Sequence, residues 1–465
     1  MYRLVFILLA NLNFNYTEPL QDQINILKQA LEQQSLIIKK LQQRVVELET
    51  SGSKTKTANE TALENYLSMV EGEQTSAEFQ TKKAPVVRYM KSGISGLMTV
   101  GSSSQRDSEL EALQGGHHNP SKRGFSLRGL EWSLFGAIDP NWDAQTHVLF
   151  SHDPRGGETS IEIEEAFARS TALSKRFQLE LGLMNTEFGR FNTQHAHQWT
   201  FADQPLVNNR IFGSESMRGP GLRIGYLLPS ANYSELHFGV QNASGGTMAS
   251  FQNTGAHAHG EEDGAHEEES LLESFQGEDF VSSAEDLVYL LRWVYGFSFS
   301  PEDTARLGLS WLRGPGFLPD ELTRIVGIDL AYKKRKLLNS GHFLDLLVEG
   351  EFIGRNAEVL HEDVKGDVDD RGFYLQGRAF WNQNWGAGLR YERAWAKSDF
   401  QEASQLAKHS PRTRISPQIL FRSSEFSQFR LQYNWDDWPH LHEGKANSIW
   451  LSFDFFFGDH PSHVF

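Results

Sequence analysis

The feature that most constrains this chain is a pattern of period two, which recurs in segments of about ten residues from position 86 onward. In one such segment Phe429, Leu431 and Tyr433 alternate with Arg430 and Gln432. Successive side chains of a strand point to opposite faces, so this alternation predicts a half-buried strand with one apolar face.

We count sixteen such segments, and the connections between them alternate in length. Short connections such as IDPNWD, SPEDT and NQNW alternate with a mostly long set that includes 104–122, 185–217, 243–284, 355–369 and 396–411. Short turns at one end and long loops at the other are typical of outer-membrane β-barrels. We therefore predict an all-β transmembrane antiparallel barrel of about 16 strands over residues 86–465, with both of its ends on the short-turn, periplasmic side.

The polar face of these strands is then expected to line the lumen, and the apolar face, rich in Trp, Tyr and Phe near strand ends, to meet lipid. A soluble β-protein is the alternative interpretation, but an unbroken meander of sixteen strands is rare in soluble folds. The charged residues on the predicted lumenal face are Glu131, Glu162, Glu164, Glu180, Arg223, Arg292, Arg306, Asp329, Asp345, Glu349, Arg378, Arg390 and Arg430.

The region before the barrel has three parts. Residues 1–17 hold one Arg followed by a short apolar run, which predicts a signal segment, with a plain apolar tail as the alternative. Residues 18–50 show a heptad repeat, and residues 51–85 have the Ser-, Thr-, Lys- and Glu-rich composition of a linker.

The heptad repeat predicts an α-helical coiled coil whose narrow apolar stripe is buried against copies of itself. We expect a homo-oligomer, with a trimer favoured over a dimer; a single amphipathic helix lying on the body of the protein is the alternative. The seam consists of Leu20, Ile24, Leu27, Leu31, Gln34, Ile38, Leu41, Val45 and Leu48.

Composition and motifs exclude several functions. The chain has 44 basic and 60 acidic residues and a formal charge of −16, which argues against a nucleic-acid partner. It contains no cysteine, which mildly favours an exported protein and rules out thiolate metal sites. We find no G-x-S-x-G, no H-E-x-x-H and no phosphate-binding glycine loop, so we predict no enzyme and no required cofactor.

Histidine pairs in the long connections are candidate metal ligands, because imidazole nitrogen and carboxylate oxygen bind zinc and related divalent ions. The segment 251–270 carries three histidines and six carboxylates and no basic residue. It would also add negative potential at the pore mouth and concentrate cations there. A merely solvated acidic loop is the alternative. The candidate ligands in this segment are His257, His259, Glu261, Asp263 and His266.

A second pair, His195 and His197, lies in connection 185–217 and completes the list of candidate metal ligands. We expect this connection to fold into the lumen as a constriction loop, with Arg190, Trp199 and Asp203 among its residues. The alternative for the two histidines is a structural role, in which they hydrogen-bond to lumenal carboxylates.

The stretch around this loop is similar to a family of Gram-negative outer-membrane proteins known as zinc-regulated outer-membrane receptors or porin-like proteins. The resemblance is densest over residues 125–228, and its specific part is the pattern F-G-R-[FL]-N, H-x-H-x-W and D-x-P. In this chain that pattern falls on Phe188, Gly189, Arg190, Phe191, Asn192, His195, His197, Trp199, Asp203 and Pro205. The coiled coil before the barrel is similar to that of the phosphate-selective porins, and this likeness implies a trimer.

The resemblance and the residues together predict a porin-like channel in the outer membrane of a Gram-negative bacterium. It would be embedded in lipid and take up small solutes, with zinc or other divalent metal ions as candidate cargo and zinc bound only transiently. One alternative is a structural envelope protein that tethers the outer membrane through its coiled coil. A second alternative is an anion or phosphate porin.

Overall fold

The computed structural model describes residues 90–114, 116, 118–153, 157–173, 176–251, 281, 283–316, 321–337, 343–361, 364–398 and 410–458. The expected signal segment, coiled coil and linker lie outside these residues, as does 252–280 with its candidate metal ligands. Within the described part, no helix has the length and apolar content needed to cross a membrane.

The alternating segments all form strands. In chain order the elements are β1 (Met90–Ser103), α1 (Asp107–Gln114), β2 (Gly124–Asp139), β3 (Trp142–His152), β4 (Thr159–Ser170), β5 (Phe177–Asn185), α2 (Leu206–Phe212), β6 (Arg218–Leu227), β7 (Tyr233–Asn242), β8 (Leu287–Ser300), β9 (Asp303–Pro315), β10 (Leu322–Leu337), β11 (Phe343–His361), β12 (Val364–Phe380), β13 (Trp385–Ser398), β14 (Arg412–Ser424), β15 (Ser427–Asp437) and β16 (Lys445–Gly458). In the described part of the chain, short 3-10 turns also lie at Ala196–Gln198 and Ala284–Asp286.

These sixteen strands form one closed antiparallel meander. Each strand pairs with its neighbours in sequence, and β1 closes the barrel against β16, where Val100 lies opposite Leu451. The predicted closed barrel of about 16 strands is confirmed. Closure satisfies every strand edge, which is the requirement for a sheet that meets lipid.

One predicted loop is wrong. Residues 355–369 were expected to form a long connection, because their acidic and polar composition resembles that of a loop. Instead β11 and β12 continue as a hairpin to the pair His361 and Val364, so that only 362–363 connect them. Backbone pairing continues the ladder there although the side-chain pattern has lost its alternation.

The outer face of the barrel is apolar. Val326, Ile328 and Leu330 on β10 are 52%, 46% and 51% exposed. Aromatic side chains are exposed at the short-turn ends of several strands, as in an interfacial girdle: Phe299, Trp381, Trp385, Phe426 and Phe457. A continuous apolar face of this kind is what a barrel presents to the hydrocarbon of a bilayer.

The inner face carries the charged residues that alternate with this apolar face. Arg292 and Asp329 form an ion pair across β8 and β10 at 2.6 Å, and Arg430 pairs with Asp454 across β15 and β16. These four side chains are almost fully buried.

Candidate functional site

The connection after β5, residues 186–217, lies inside the barrel and is called the constriction loop below. Its backbone is held by side chains of distant strands. Arg430 on β15 donates to the carbonyl oxygens of Trp199 and Phe201, each at 2.7 Å. Glu351 on β11 accepts the backbone N–H of Phe191 at 2.7 Å. The loop therefore spans the lumen rather than extending above it.

The base of the loop is closed by Asn192. Its Nδ2 donates to the carbonyl oxygens of Thr186 and Met217 at 2.8 Å, and its Oδ1 accepts the N–H of Met217 at 2.8 Å. Because Thr186 and Met217 are the two ends of the loop, one side chain fixes the width of its base.

Apolar packing holds the constriction loop against the wall of the barrel. The alternation of apolar and polar residues in the strands did not predict this packing. Phe188 and Phe212 meet edge to face, with ring centroids 5.1 Å apart, and the ring of Phe188 lies over Gly327 of β10. A Cβ at Gly327 would lie 2.6 Å from the ring of Phe188, so glycine is needed for this contact. The buried apolar cluster also contains Phe191, Val207, Ile211, Leu290, Leu312, Ile325 and Ile353.

Asp203 is the main polar anchor of the loop. It pairs with Arg390 and with Arg414, the latter at 2.9 Å, and accepts hydrogen bonds from Gln432 and Asn434 at 2.8 Å. Burial raises the pKa of Asp203, but Arg390 and Arg414 lower it further than burial raises it, so that the pKa of this carboxyl lies well below its usual range.

The predicted loop residues Arg190 and Trp199 also lie in the lumen. Arg190 pairs with Glu349 of β11, and the indole Nε1 of Trp199 donates to the carbonyl of Gln194 at 3.1 Å. Gly189 has a φ of +61°, and a Cβ there would lie 2.8 Å from the carboxylate of Glu351. This glycine lets the backbone approach the wall.

The two histidines of the loop meet carboxylates of β2 and β4. His195 Nδ1 lies 3.1 Å from Glu164 Oε2, and His195 Nε2 lies 2.9 Å from Glu165 Oε2. His197 Nδ1 lies 2.9 Å from Glu131 Oε2. All five residues are buried.

His147 of β3 completes this group. Its Nδ1 lies 2.6 Å from Glu131 Oε1, and its ring stacks on that of His195 with centroids 4.2 Å apart. We refer to the whole set as the lumenal cluster, and its members are Glu131, His147, Glu164, Glu165, His195 and His197.

A β-bulge explains how two adjacent carboxylates face the same histidine. His147 pairs with Glu165, and the next residue, Val148, pairs with Ile163, so that Glu164 is the extra residue. A bulge redirects a side chain that strict alternation would send to the other face. Both Glu164 and Glu165 therefore point into the lumen.

Within the described residues, Glu131, His147 and His195 each offer a ligand atom, and these atoms lie within 4.8 Å of one another. Two imidazoles and a carboxylate are a donor set that zinc and related ions use, and three protein ligands leave a position for water or exchange. Burial lowers the pKa of His195, but the carboxylates of Glu131, Glu164 and Glu165 raise it well above its ordinary value. The carboxylates therefore favour a positive charge at this position, which the protonated imidazole of His195 can supply.

The structure distributes the other sequence-derived candidates over the inner wall. Glu180 pairs with Arg223 at 2.5 Å, Glu162 pairs with Arg218, and Arg378 lies over the ring of Phe380. Arg292, Arg390 and Arg430 are fully buried in ion pairs. In these contacts the partner of each group lies outside the lumenal cluster.

Sequence reasoning missed His147 and Glu165. His147 stands alone on the polar face of its strand, where an isolated histidine carries no specific signal. Glu165 breaks the alternation in IEIEEAFAR, and this doubled acid was the available sign of a bulge.

Sequence comparison finds a relative of this chain but no family. No protein-family model matches the chain. A protein of Aquifex aeolicus strain VF5, described as uncharacterized, is 27% identical over 399 residues, which cover 78% of this chain and 76% of that protein.

Among solved structures, the outer-membrane channel DcaP of Acinetobacter baumannii matches with a TM-score of 0.50 and 10% identity, over 80% of this chain and 97% of that one. The anion-selective porin of Comamonas acidovorans matches with a TM-score of 0.47 and 11% identity, over 80% of this chain and 100% of that one. The likeness to DcaP shows that the chain has the fold of an outer-membrane channel.

Proposed function

We propose that this chain is a channel of the Gram-negative outer membrane for small hydrophilic solutes, and that its cargo includes divalent transition-metal ions of the zinc class. The observation that carries the metal part of the proposal is the lumenal cluster. The apolar outer face and the charged inner face support the membrane and channel parts.

The position of the cluster favours cargo over a purely structural role. His195 and His197 belong to the constriction loop, whereas Glu131 and His147 belong to the wall. An ion bound between them would contact both the loop and the wall. Mixed nitrogen and oxygen ligands select zinc-like ions over magnesium and calcium, which prefer oxygen ligands.

Ion-channel recording tests the proposal. Purified barrel in a planar bilayer should conduct potassium chloride, and added zinc should reduce the current because bound zinc occupies the constriction. His147→Ala should weaken that block. His237→Ala is the matched control, since His237 lies 3.5 Å from Glu235 on the inner face of β7, outside the cluster.

Absence of any conductance would contradict the channel. Zinc block of equal strength in wild type, His147→Ala and His237→Ala would contradict the metal site while leaving the channel intact.

Passage of small anions is a second candidate, favoured by a basic group near the short turns. Arg335 and Arg422 lie 3.5 and 3.8 Å from the same carboxylate, that of Asp345. Arg378 and Arg422 both lie over the ring of Phe380. The reversal potential in a salt gradient separates the candidates, because a basic lining near the short turns would favour chloride over potassium.

A further inference from the structure

A buried histidine outside the lumenal cluster faces two carboxylates of its own. His118 lies in the connection between α1 and β2, and it is 5% exposed. Its Nε2 lies 2.8 Å from Glu164 Oε1 and 3.1 Å from Glu215 Oε2. An imidazole nitrogen between two carboxylate oxygens is again a donor set for zinc-class ions.

Glu164 joins this group to the lumenal cluster. Its Oε1 faces His118, whereas its Oε2 lies 3.1 Å from His195 Nδ1. A carboxylate can bind one cation through each oxygen. The two groups are therefore contiguous through one side chain.

His118 is held in this orientation by its surroundings. Its carbonyl oxygen accepts a hydrogen bond from Arg128 Nε at 2.8 Å, and its ring meets Trp199 edge to face at 6.0 Å between centroids. Among the described residues, its buried Nδ1 has no hydrogen-bond partner, so the carboxylates at Nε2 supply the polar contacts of the ring. The nearby Arg218 is paired with Glu162.

The two groups border the same cleft. His118, Glu164, His195 and Glu215 line one small cleft with room for about one water molecule, which also borders Trp199. His118 and Glu215 lie in connections on the long-loop side of the barrel.

We propose that His118, Glu215 and Glu164 form an outer metal station, which binds a zinc-class divalent ion and passes it through Glu164 to the lumenal cluster. This inference rests on the proposed function. The four carboxylates of Glu131, Glu164, Glu165 and Glu215 pair with histidines. In each group a divalent ion would take the place of the imidazolium proton and neutralise the carboxylates. Neutralising them together removes the cost of burying like charges.

Calorimetric titration of the full-length purified protein with zinc tests the two stations. A parent protein in which His257, His259 and His266 are alanine keeps only the barrel sites, and it should bind two ions. His118→Ala should lose one ion and keep the affinity of the other within about threefold. Glu215→Gln preserves the shape of the side chain and should lower the affinity for the same ion at least tenfold. This variant keeps the test valid if His118→Ala does not fold.

His147→Ala provides the complementary case, and it should lose the inner ion while keeping the outer one. One ion in the parent protein that His118→Ala and Glu215→Gln leave unchanged would overturn the outer station and retain the inner site. No zinc in the parent protein would overturn both the outer station and the proposed metal cargo.

Discussion

Asp203 and Arg414 form a 2.9 Å ion pair across 211 positions of the chain. Asp203 belongs to the constriction loop and Arg414 to β14, and both side chains are buried. Arg390 of β13 pairs with the same carboxylate, and Gln432 of β15 donates a hydrogen bond to it. One acidic residue of the loop therefore connects it to three strands of the wall.

Replacement of this carboxylate should loosen the loop. Asp203→Asn keeps the shape of the side chain but leaves Arg390 and Arg414 without their shared anion. Breaking a buried ion pair costs about 3–5 kcal/mol, which we expect to appear as weaker docking of the loop. Single-channel recording should show a larger and noisier open conductance than in wild type.

The control for this change is Asp437→Asn, which removes an exposed carboxylate at the end of β15. Its conductance should match wild type. A conductance of Asp203→Asn that also matches wild type would show that the loop stays in place without the ion pairs.

Acid should act through the same carboxylate. Its folded pKa lies below its unfolded value of about 3.9, so the ionised form stabilises docking above that pH. The stabilisation is lost as the pH falls through the folded pKa. Conductance should stay constant from pH 7 to about 4.5 and rise below about pH 4. The conductance of Asp203→Asn should show no comparable rise at low pH. An equal rise in that variant would mean that other titratable groups cause it.

The lipid-facing surface can be tested on β10. Ile328 lies in the middle of that strand and is exposed. Ile328→Arg should destabilise the folded barrel by about 2–4 kcal/mol, because a charge at the bilayer midplane is poorly solvated. Phe299→Arg, near the short turns, should cost about 0–1 kcal/mol. Equal costs in urea unfolding from liposomes would contradict the assigned membrane position.

The predicted seam from Leu20 to Leu48 can be tested by deletion of residues 18–50. We expect the full-length protein to be a trimer in native mass measurements and the deleted protein to assemble less. Conductance per barrel should persist, because the described strands close without that segment. Loss of conductance on deletion would connect the helix to the pore itself, and a monomeric full-length protein would refute the oligomer.

The strands could be predicted because period two is a local property. The residues of each segment alone indicate which side chains share its apolar face. Short turns such as 301–302 and 381–384 then indicate that consecutive strands pair as a meander. The failure at 355–369 has the same origin, because the pairing of β11 with β12 continues where alternation ends.

The lumenal cluster could be predicted only in part. His195 and His197 were visible as an H-x-H pair in a long connection, but their partners lie 30 to 66 positions away. Whether a loop enters its barrel depends on tertiary contacts, such as Phe188 on Gly327, that no local pattern encodes. Glu164 and Glu165 both face the lumen because of a bulge, which is a property of the pairing of two strands.

Zinc flux into liposomes tests the central claim most directly. Wild-type barrel should admit zinc faster than magnesium, read with an enclosed zinc-sensitive dye. The double variant His195→Ala and His197→Ala should lose that preference while it still conducts potassium chloride. The double variant His440→Ala and His442→Ala removes an exposed H-x-H pair and should behave as wild type. Unchanged zinc preference after loss of His195 and His197 would contradict a metal pathway through the lumenal cluster.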